Sequence, residues 1–418
     1  MRLPLSAPSL FRLLAFVMLL FGCGRQTREE ATETAQNIAG RVREAFEATI
    51  PVGDREDPRA REKERFENGW RQLESFRERG AGAPLPQGPT RPKPPATLRF
   101  VTGREEFRTI APATMNAAPI VVPIDGDVAG PSVLKTQVWL DRAAFSVGVI
   151  DGRWGKNSAI AIWWYQRSRG LEPTGRGDEA TIRMLAEEAG FVDAIVPHRL
   201  TADDVEGPFV SIPEDVYEQE KLSCLCFEHP LEKIAERFHA SQELIESLNP
   251  GVRFSEVKAG DVIFVPNVRP PVAGDPKDIA RVVISIRGNT FNAYDASGNL
   301  IFHAPTTLGS KYDPSPRETL QVKEIFFNPH FHYQPKLFHE VPDTDPEAHL
   351  KPGPNSPVGV VWIALSKKHY GIHGTSDPDA IGYASSHGCV RLTNRDAHEV
   401  AHRIREGASV EFVDTRQK

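Results

Sequence analysis

The sequence predicts an α+β protein built from several small domains, the last of which is rich in β-strands. Its 418 residues exceed the length of one ordinary domain, for which about 150 residues is typical. Helical spacing of apolar residues dominates two central segments, 132–190 and 216–268, and short β-branched runs follow from residue 278 onward. The 35 prolines exceed average usage and predict linkers between these units.

The N-terminus carries the pattern of an export signal. Arg2 and Arg12 precede an apolar run at 13–21, which is too short for a membrane-spanning helix of about 20 residues, so 1–22 is predicted to be a signal peptide. The Leu-Phe-Gly-Cys motif that ends at Cys23 resembles the bacterial lipobox. This resemblance implies a lipid on Cys23 and a place on the periplasmic side of the envelope, anchored in the outer membrane. The alternative is ordinary secretion with an incidental cysteine.

Residues 23–96 are predicted to form a charged helical spacer followed by a proline-rich linker. Phe66, Trp70, Leu73 and Phe76 recur at three- and four-residue intervals and would form one helical stripe. Proline and glycine dominate 81–95, which favours an extended, semi-rigid chain.

The segment 132–190 has the pattern of a small helical domain. Gly148 and the pair Asp151-Gly152 are turn signals between two amphipathic helices. The series Ile150-Asp151-Gly152, Ala161-Ile162, Gln166 and Gly170-Leu171 resembles the signature of the peptidoglycan-binding domain. The same glycines and aromatic residues would also be needed merely to close the core, so sugar binding stays open.

The segment 216–268 predicts a β-α-α-β unit. Two short helices end at Asn249-Pro250, and the β-branched run 262–266 follows as a strand. This order resembles a LysM domain, which implies binding to glycans that contain N-acetylglucosamine. Cys224 and Cys226 replace the usual polar turn, and we interpret them as packing residues or a local disulfide because two close thiols lack the further ligands of a zinc site.

From residue 278 to 414 the pattern becomes that of a β-meander. Candidate strands cover 282–286, 290–294 and 300–304, and the turns between them carry Gly288-Asn289 and Gly298-Asn299. Two motifs follow, His373-Gly374-Thr375 and Ser386-His387-Gly388-Cys389-Val390-Arg391-Leu392. Together they resemble the catalytic domain of L,D-transpeptidases, also called the YkuD or ErfK family.

The resemblance implies a cysteine acyltransferase without a metal or other cofactor. A free thiol attacks as thiolate and needs a nearby base, so Cys389 is the expected nucleophile and His373 the general base. The family orients its base through a backbone carbonyl, here that of Gly374. Backbone N–H groups of His387, Gly388 and Cys389 are expected to form the oxyanion hole.

Three further residues are candidates for contacts with the substrate. Tyr370 and Ser386 flank the two motifs and are expected to bind the stem peptide. Arg391 is expected to bind a substrate carboxylate or to fix the loop, and a structural salt bridge is an equal alternative. Ser315-Pro316-Arg317-Glu318 departs from the family's Thr-Pro-x-Gly turn, which puts the local loop in doubt.

Two metal-site interpretations compete with the thiol mechanism. His373, His387 and Cys389, with His330 or His332, are residue types that bind zinc. His398-Glu399-Val400-Ala401-His402 also matches the H-E-x-x-H pattern of zinc proteases. No third ligand follows it, however, and Ala397, Val400, Ala401 and Ile404 form the buried stripe of an amphipathic helix.

The expected partners are peptidoglycan stem peptides and glycan strands, together with a membrane reached through the lipid anchor. A net charge of −6 provides no basic surface for nucleic acid. The expected reaction cleaves a tetrapeptide stem after its third residue and releases the terminal D-alanine. The remaining acyl group is transferred to a stem amine, forming a 3→3 cross-link, or to a lysine of an envelope protein. With water as acceptor the enzyme would be an L,D-carboxypeptidase, and a catalytically silent peptidoglycan-binding lipoprotein is the third possibility.

Overall fold

A computed structural model describes residues 98–105, 110–338 and 340–414. The predicted signal peptide, the lipidation site at Cys23 and the spacer at 23–96 lie outside these residues. None of the helices in the described ranges is both long and apolar enough to cross a membrane.

The first unit is a small bundle of helices with a two-stranded parallel sheet at its edge. Pro131 occupies the first turn of the second helix, where its missing N–H is no loss. Asp178 caps the fourth helix by accepting the N–H of Thr181 at 2.8 Å. The elements of this unit are β1 (Phe100–Thr102), α1 (Pro112–Met115), β2 (Ile120–Val122), α2 (Pro131–Arg142), α3 (Lys156–Ser168) and α4 (Glu179–Glu188).

The second unit is closed by an antiparallel pair in which Ile195 lies opposite Pro266. Its first strand lies upstream of residue 216, where the sequence predicted the unit to begin. The strand was missed because proline interrupts it at Pro197, and a long insertion separates it from the helices. The elements are β3 (Ile195–Arg199), α5 (Ala202–Val205), α6 (Val216–Gln219), α7 (Pro230–Arg237), α8 (Gln242–Leu248) and β4 (Val262–Pro266).

The two helical units share one hydrophobic core. Leu134 and Trp139 of α2 belong to the same buried cluster as Ile234, Ile245 and Val265 of the second unit. Burial of apolar area stabilises a fold by about 25 cal/mol per Å². Part of the apolar area buried here lies between the two units, so its burial stabilises their association. The sequence predicted two separate modules, whereas the structure has a single packed body.

The third unit is built on an eight-stranded mixed sheet in the order β15-β13-β12-β9-β16-β5-β6-β7. The three predicted hairpin strands are present, and Asn289 and Gly298 supply the positive φ angles of the turns at 52° and 88°. The elements are β5 (Ile279–Ser285), β6 (Thr290–Tyr294), β7 (Leu300–Pro305), β8 (Leu308–Gly309), β9 (Thr319–Phe327), β10 (Phe331–Tyr333), β11 (Ala348–Leu350), β12 (Val361–Leu365), β13 (Gly371–His373), β14 (Ser385–Ser386), β15 (Val390–Arg391), α9 (Asn394–Arg403) and β16 (Ile404–Val413).

Helix α9 joins the sheet to the helical units. Its predicted apolar stripe, which includes Ala397 and Val400, is fully buried. On its other side Thr393, the N-cap, and Asp396 meet the imidazole of His239, whose Nε2 lies 3.1 Å from Thr393 Oγ1 and 3.5 Å from Asp396 Oδ2. The Nδ1 of His239 lies 3.0 Å from Asp141 of α2. One buried imidazole therefore bridges all three units.

A disulfide between Cys224 and Cys226 shapes the insertion of the second unit. Between them, Leu225 donates its N–H to Pro352 O and accepts the N–H of Asn355, both at 3.0 Å. This segment therefore lies against the third unit like a short added strand. The local disulfide was one of the two interpretations that the sequence allowed.

Candidate active site

The loop of the expected nucleophile, Cys389, is called the nucleophile loop and lies between two very short strands, β14 and β15. Strand β14 pairs with β8 and strand β15 with β13, both in parallel. Between them Gly388 adopts a φ of 105°, and a Cβ there would lie 2.9 Å from the ring of Tyr370. Glycine is needed at this position because other residues rarely adopt this φ and would collide with the tyrosine.

Two serine hydroxyls fasten this loop. Ser386 Oγ donates to Cys389 O at 2.7 Å and accepts the N–H of Gly388 at 3.2 Å. Ser315 Oγ donates to Gly388 O at 3.0 Å and accepts the N–H of Gly309 at 2.9 Å. Ser315 therefore supports the nucleophile loop from the segment where the sequence departs from the family pattern.

Cys389 is the one free cysteine of the described residues and is 5% exposed. Its thiol lies 3.5 Å from His369 O, to which it donates. Burial raises the pKa of this thiol to about 12, and a hydrogen bond from the backbone of Gly371 only partly opposes the shift. Cys389 is therefore a neutral thiol in the resting structure.

His373 ends β13, the strand next to β15, and Leu392 N–H donates to its carbonyl at 2.9 Å. Its imidazole is buried and stacks on Trp362, with ring centroids 5.4 Å apart. The Nδ1 atom lies 2.7 Å from Gly374 O. Because a carbonyl only accepts, Nδ1 carries the proton and Nε2 keeps its lone pair.

The charge state of this imidazole is also set by its surroundings. Burial lowers the pKa of His373 to about 4, although the hydrogen bond to the Gly374 carbonyl acts in the opposite direction. The ring is therefore neutral at neutral pH. The two shifts favour a neutral thiol in the loop before β15 and a neutral imidazole on β13 over a preformed thiolate–imidazolium pair.

Asn394 is a supporting residue that sequence reasoning missed. Its Oδ1 accepts the N–H groups of Val360 and Thr375, both at 3.2 Å, and it lies so close to Gly374 that a Cβ there would be 2.1 Å away. Its Nδ2 donates to both carboxylate oxygens of Glu236 in α7 at 3.1 Å. The sequence feature that could have identified Asn394 is its position directly after Thr393, the N-cap of α9.

The side chain of His387 turns toward acidic residues. Its Nε2 lies 3.2 Å from both carboxylate oxygens of Glu340 and 3.9 Å from Asp313. In the described part of the chain these three residues form the one group whose ligand atoms could hold a metal ion, within 4.8 Å of one another. His373 and Cys389 are not in this group, which argues against the zinc site that the sequence allowed.

The H-E-x-x-H pattern has a structural explanation. His398 and His402 lie on α9 with their Nε2 atoms 3.4 Å apart, and both rings contact Phe327. The carboxylate of Glu399 forms ion pairs with Arg269 and Arg403. A glutamate held by two arginines is poorly suited to act as the base of a zinc protease.

Two of the three residues predicted to contact the substrate are buried. Ser386 is buried and its hydroxyl donates a hydrogen bond within the loop, so its contact with the stem peptide stays a prediction. Arg391 is 4% exposed and its backbone pairs with Thr307, so it lies inside the domain. Tyr370 does lie beside the loop, with Lys367 5.0 Å from its ring centroid.

The oxyanion hole stays a prediction, and the structure shows where one of its three expected donors points. The N–H of Gly388 is directed to Ser386 Oγ, because the positive φ of this glycine turns it into the loop. Of the three predicted donors, this leaves the backbone N–H groups of His387 and Cys389.

Comparison with known proteins shows the family of this chain. The family described as "L,D-transpeptidase catalytic domain" matches residues 279–412. "Putative L,D-transpeptidase YkuD" of Bacillus licheniformis is 31% identical over 184 residues, which are 44% of this chain and 93% of that protein. The chain belongs to the L,D-transpeptidase family. The resemblance carried by the His-Gly-Thr and Ser-His-Gly-Cys motifs is thereby confirmed.

The comparisons also include a second family match, a further relative and a solved structure. The family described as "Putative peptidoglycan binding domain" matches residues 129–185, which confirms the predicted helical domain. "Probable L,D-transpeptidase YbiS" of Escherichia coli is 27% identical over 190 residues, covering 44% of this chain and 60% of that protein. A solved L,D-transpeptidase of Xylanimonas cellulosilytica aligns over 71% of this chain and 98% of its own, with 15% identity and a TM-score of 0.31. The LysM resemblance and the signal peptide stay predictions.

Proposed function

We infer that this chain is a cysteine-dependent L,D-transpeptidase that acts on peptidoglycan stem peptides. The observation that carries the proposal is the Nδ1 contact of His373 with Gly374 O, which leaves Nε2 as a proton acceptor on the strand next to the Cys389 loop. Membership in the family and the peptidoglycan-binding match at 129–185 support the substrate class.

In the first half-reaction, the Cys389 sulfur attacks the carbonyl carbon between the third stem residue and the terminal D-alanine. His373 Nε2 takes the thiol proton as the C–S bond forms, so the thiolate need not exist beforehand. The developing oxyanion accepts hydrogen bonds from the N–H groups of His387 and Cys389. The imidazolium then returns its proton to the amine of D-alanine, which leaves, and a thioester remains.

In the second half-reaction, an amine attacks the thioester carbonyl. His373 Nε2 takes a proton from the attacking nitrogen and passes it to the departing Cys389 sulfur. A new amide bond replaces the C–S bond, and the enzyme returns to the neutral thiol and imidazole. The acceptor is a stem amine, giving a 3→3 cross-link, or a lysine of an envelope protein.

The decisive experiment incubates the purified protein with a disaccharide tetrapeptide and follows the muropeptides by mass spectrometry. We expect loss of D-alanine together with a cross-linked dimer, both abolished by Cys389→Ala and retained in the control Cys224→Ser. Release of D-alanine without dimer would identify an L,D-carboxypeptidase. Unchanged products from Cys389→Ala would reject the thiol mechanism. If the wild type formed no product, the proposed activity would be rejected in favour of a catalytically silent peptidoglycan-binding protein.

We also propose that the protein acts outside the cytoplasmic membrane, anchored through Cys23. The support is the motif at residues 20–23 and the location of peptidoglycan itself. Replacing Cys23→Ser should move the protein from the detergent-extracted membrane fraction to the soluble fraction. An unmodified mature N-terminus in the wild type would reject the anchor.

A further inference from the structure

A polar cleft opens where the peptidoglycan-binding domain, the second helical unit and the catalytic domain meet. Its volume is about 440 Å³, which lies within the range of roughly 300–1,000 Å³ that ligand pockets occupy. Arg153 and Asp151 come from the first unit, Glu243 comes from α8, and Asp379 and Tyr383 come from the catalytic domain. The cleft is separate from the Cys389 loop and is not used by the mechanism above.

The walls of this cleft are held in place by buried hydrogen bonds. Asn157 Nδ2 donates to Ile381 O and Lys156 Nζ donates to Gly382 O, both at 2.9 Å. On the opposite wall Gln137 Nε2 donates to Asp151 Oδ1 at 2.9 Å. Preorganised walls lower the entropy cost of binding a ligand.

Tyr383 gives the cleft an exposed aromatic surface. The residue is 62% exposed, and its hydroxyl lies beside Gly155 at the start of α3, where a Cβ on the glycine would be 2.9 Å from it. An aromatic ring whose body faces solvent is suited to stacking against the apolar face of a ligand. Val147 and Ile381 add apolar floor beside it.

The charges around the cleft restrict what it can bind. Three carboxylates, on Asp151, Glu243 and Asp379, line the cleft together with one guanidinium, on Arg153, and the ammonium of Lys156 lies 6.0 Å from the centroid of the Tyr383 ring. This excess of negative charge disfavours phosphate-rich polymers. A neutral ligand with many hydroxyl and amide groups, and with apolar ring faces, matches both the polar rim and the tyrosine.

We propose that this cleft binds a neutral segment of the glycan strand of peptidoglycan, with a sugar ring stacked on Tyr383 and its polar edges bound by Arg153 and Glu243. The proposal rests on the proposed function for the nature of the polymer. Tyr383 lies in the segment that leads directly into β14 and the Cys389 loop. The cleft and the Cys389 loop are therefore joined by one short stretch of backbone.

The test titrates the full-length protein with the N-acetylglucosamine tetrasaccharide, a neutral probe, by calorimetry. We expect saturable binding that weakens by about tenfold or more in Arg153→Ala and Glu243→Ala, since hydrogen bonds to charged groups contribute strongly. Glu246→Ala on the same helix and Arg176→Ala on the same domain are matched controls and should bind normally. All four residues are exposed, so folding is not at risk.

Two results would overturn the proposal that the cleft binds a glycan strand. One is a wild-type protein that shows no saturable binding, and the other is equal affinity in the cleft and control variants, which would place the sugar elsewhere. Acylation by a β-lactam, measured in the same variants by intact mass, keeps the two proposals apart. Absent acylation in the wild type with normal sugar binding would reject the proposed chemistry and leave the cleft standing.

Discussion

Burial at Cys389 opposes ionisation of its thiol before the substrate is attacked. The pKa of its thiol is raised to about 12, while that of His373 is lowered to about 4 by burial. In the proposed mechanism, a neutral imidazole takes the proton from a neutral thiol during the attack. The sequence alone suggested a thiolate present in advance, and it had no means of estimating how deeply either group is buried.

Because both groups start neutral, the rate of acylation should depend on pH differently in the wild type and in a variant that lacks the His373 imidazole. His373→Ala should slow acylation by a β-lactam at pH 7 by about a hundredfold or more, with recovery only as the pH approaches the raised pKa of the Cys389 thiol. In the wild type the imidazole stays neutral down to its pKa of about 4, so the rate should fall only as the pH decreases toward that value. Intact-protein mass against pH measures both profiles.

His387→Ala is the matched variant for this experiment. Its side chain contacts Glu340 while its backbone N–H serves the proposed oxyanion hole, so the variant should keep the wild-type shape of the pH profile even if the rate falls. Circular dichroism checks that both variants fold. If His387→Ala removed the activity near neutral pH and His373→Ala retained it, the roles would be reversed.

Among the elements, the insertion that carries Cys224 and Cys226 was the least expected. Its backbone pairs with the Pro352–Asn355 segment, and a Cβ on Gly353 would lie 2.0 Å from Leu225 O. Glycine at this point permits the close approach of the two backbones. The insertion therefore supports the loop that leads toward β12 and the Gly374 turn.

Replacing both cysteines, Cys224→Ser with Cys226→Ser, should loosen this contact without unfolding the protein. The disulfide closes a very short loop, so its effect on the entropy of the unfolded chain is small, and we expect a loss of stability of no more than about 2 kcal/mol. Hydrogen exchange should show faster exchange of the Leu225 and Asn355 amides, with Ser223→Ala as control. Unchanged protection at both amides would mean that the disulfide does not hold the insertion.

Across the whole molecule, the buried charges at His239 tie the three units together. Burial lowers the pKa of this imidazole, but Asp396 and Asp141 outweigh that effect and raise it to about 9. Asp141 is in turn stabilised as a carboxylate, with a lowered pKa, although burial opposes this. The folded protein therefore holds a proton here that the unfolded chain releases near pH 6.5.

The sign of the resulting pH dependence follows from linkage. The contribution of His239 is fully present below pH 6.5 and is lost as the pH rises through about 9. His239→Gln should lower stability by about 3 kcal/mol at pH 6, because it removes the imidazolium that contacts two buried carboxylates, of which Asp141 keeps the more distant charges of Arg269 and Arg395. The variant should also weaken the decline of the unfolding temperature between pH 6.5 and 9.

Thermal unfolding followed by circular dichroism at several pH values measures this effect. His349→Gln, at an exposed histidine of β11, is the control and should behave as the wild type. An identical pH dependence in His239→Gln and the wild type would show that this imidazole is not charged in the folded protein.

The sequence by itself determined the family, the candidate nucleophile and the hairpin strands, because each depends on residues that are close in the chain. Cys389 lies in a contiguous motif, and the turns at Gly288-Asn289 and Gly298-Asn299 depend only on local backbone preferences. The helical domain at 129–185 was likewise readable from the spacing of its apolar residues.

Only the tertiary structure decided the contacts between residues far apart in the chain. Ser315 under the nucleophile loop, Asn394 beside Gly374 and His239 between three units make hydrogen bonds that no local pattern encodes. The same is true of the pKa values of Cys389 and His373, which depend on how much protein surrounds each group. Burial is a property of the packed chain, so a sequence can name a nucleophile and its base without revealing their charge states.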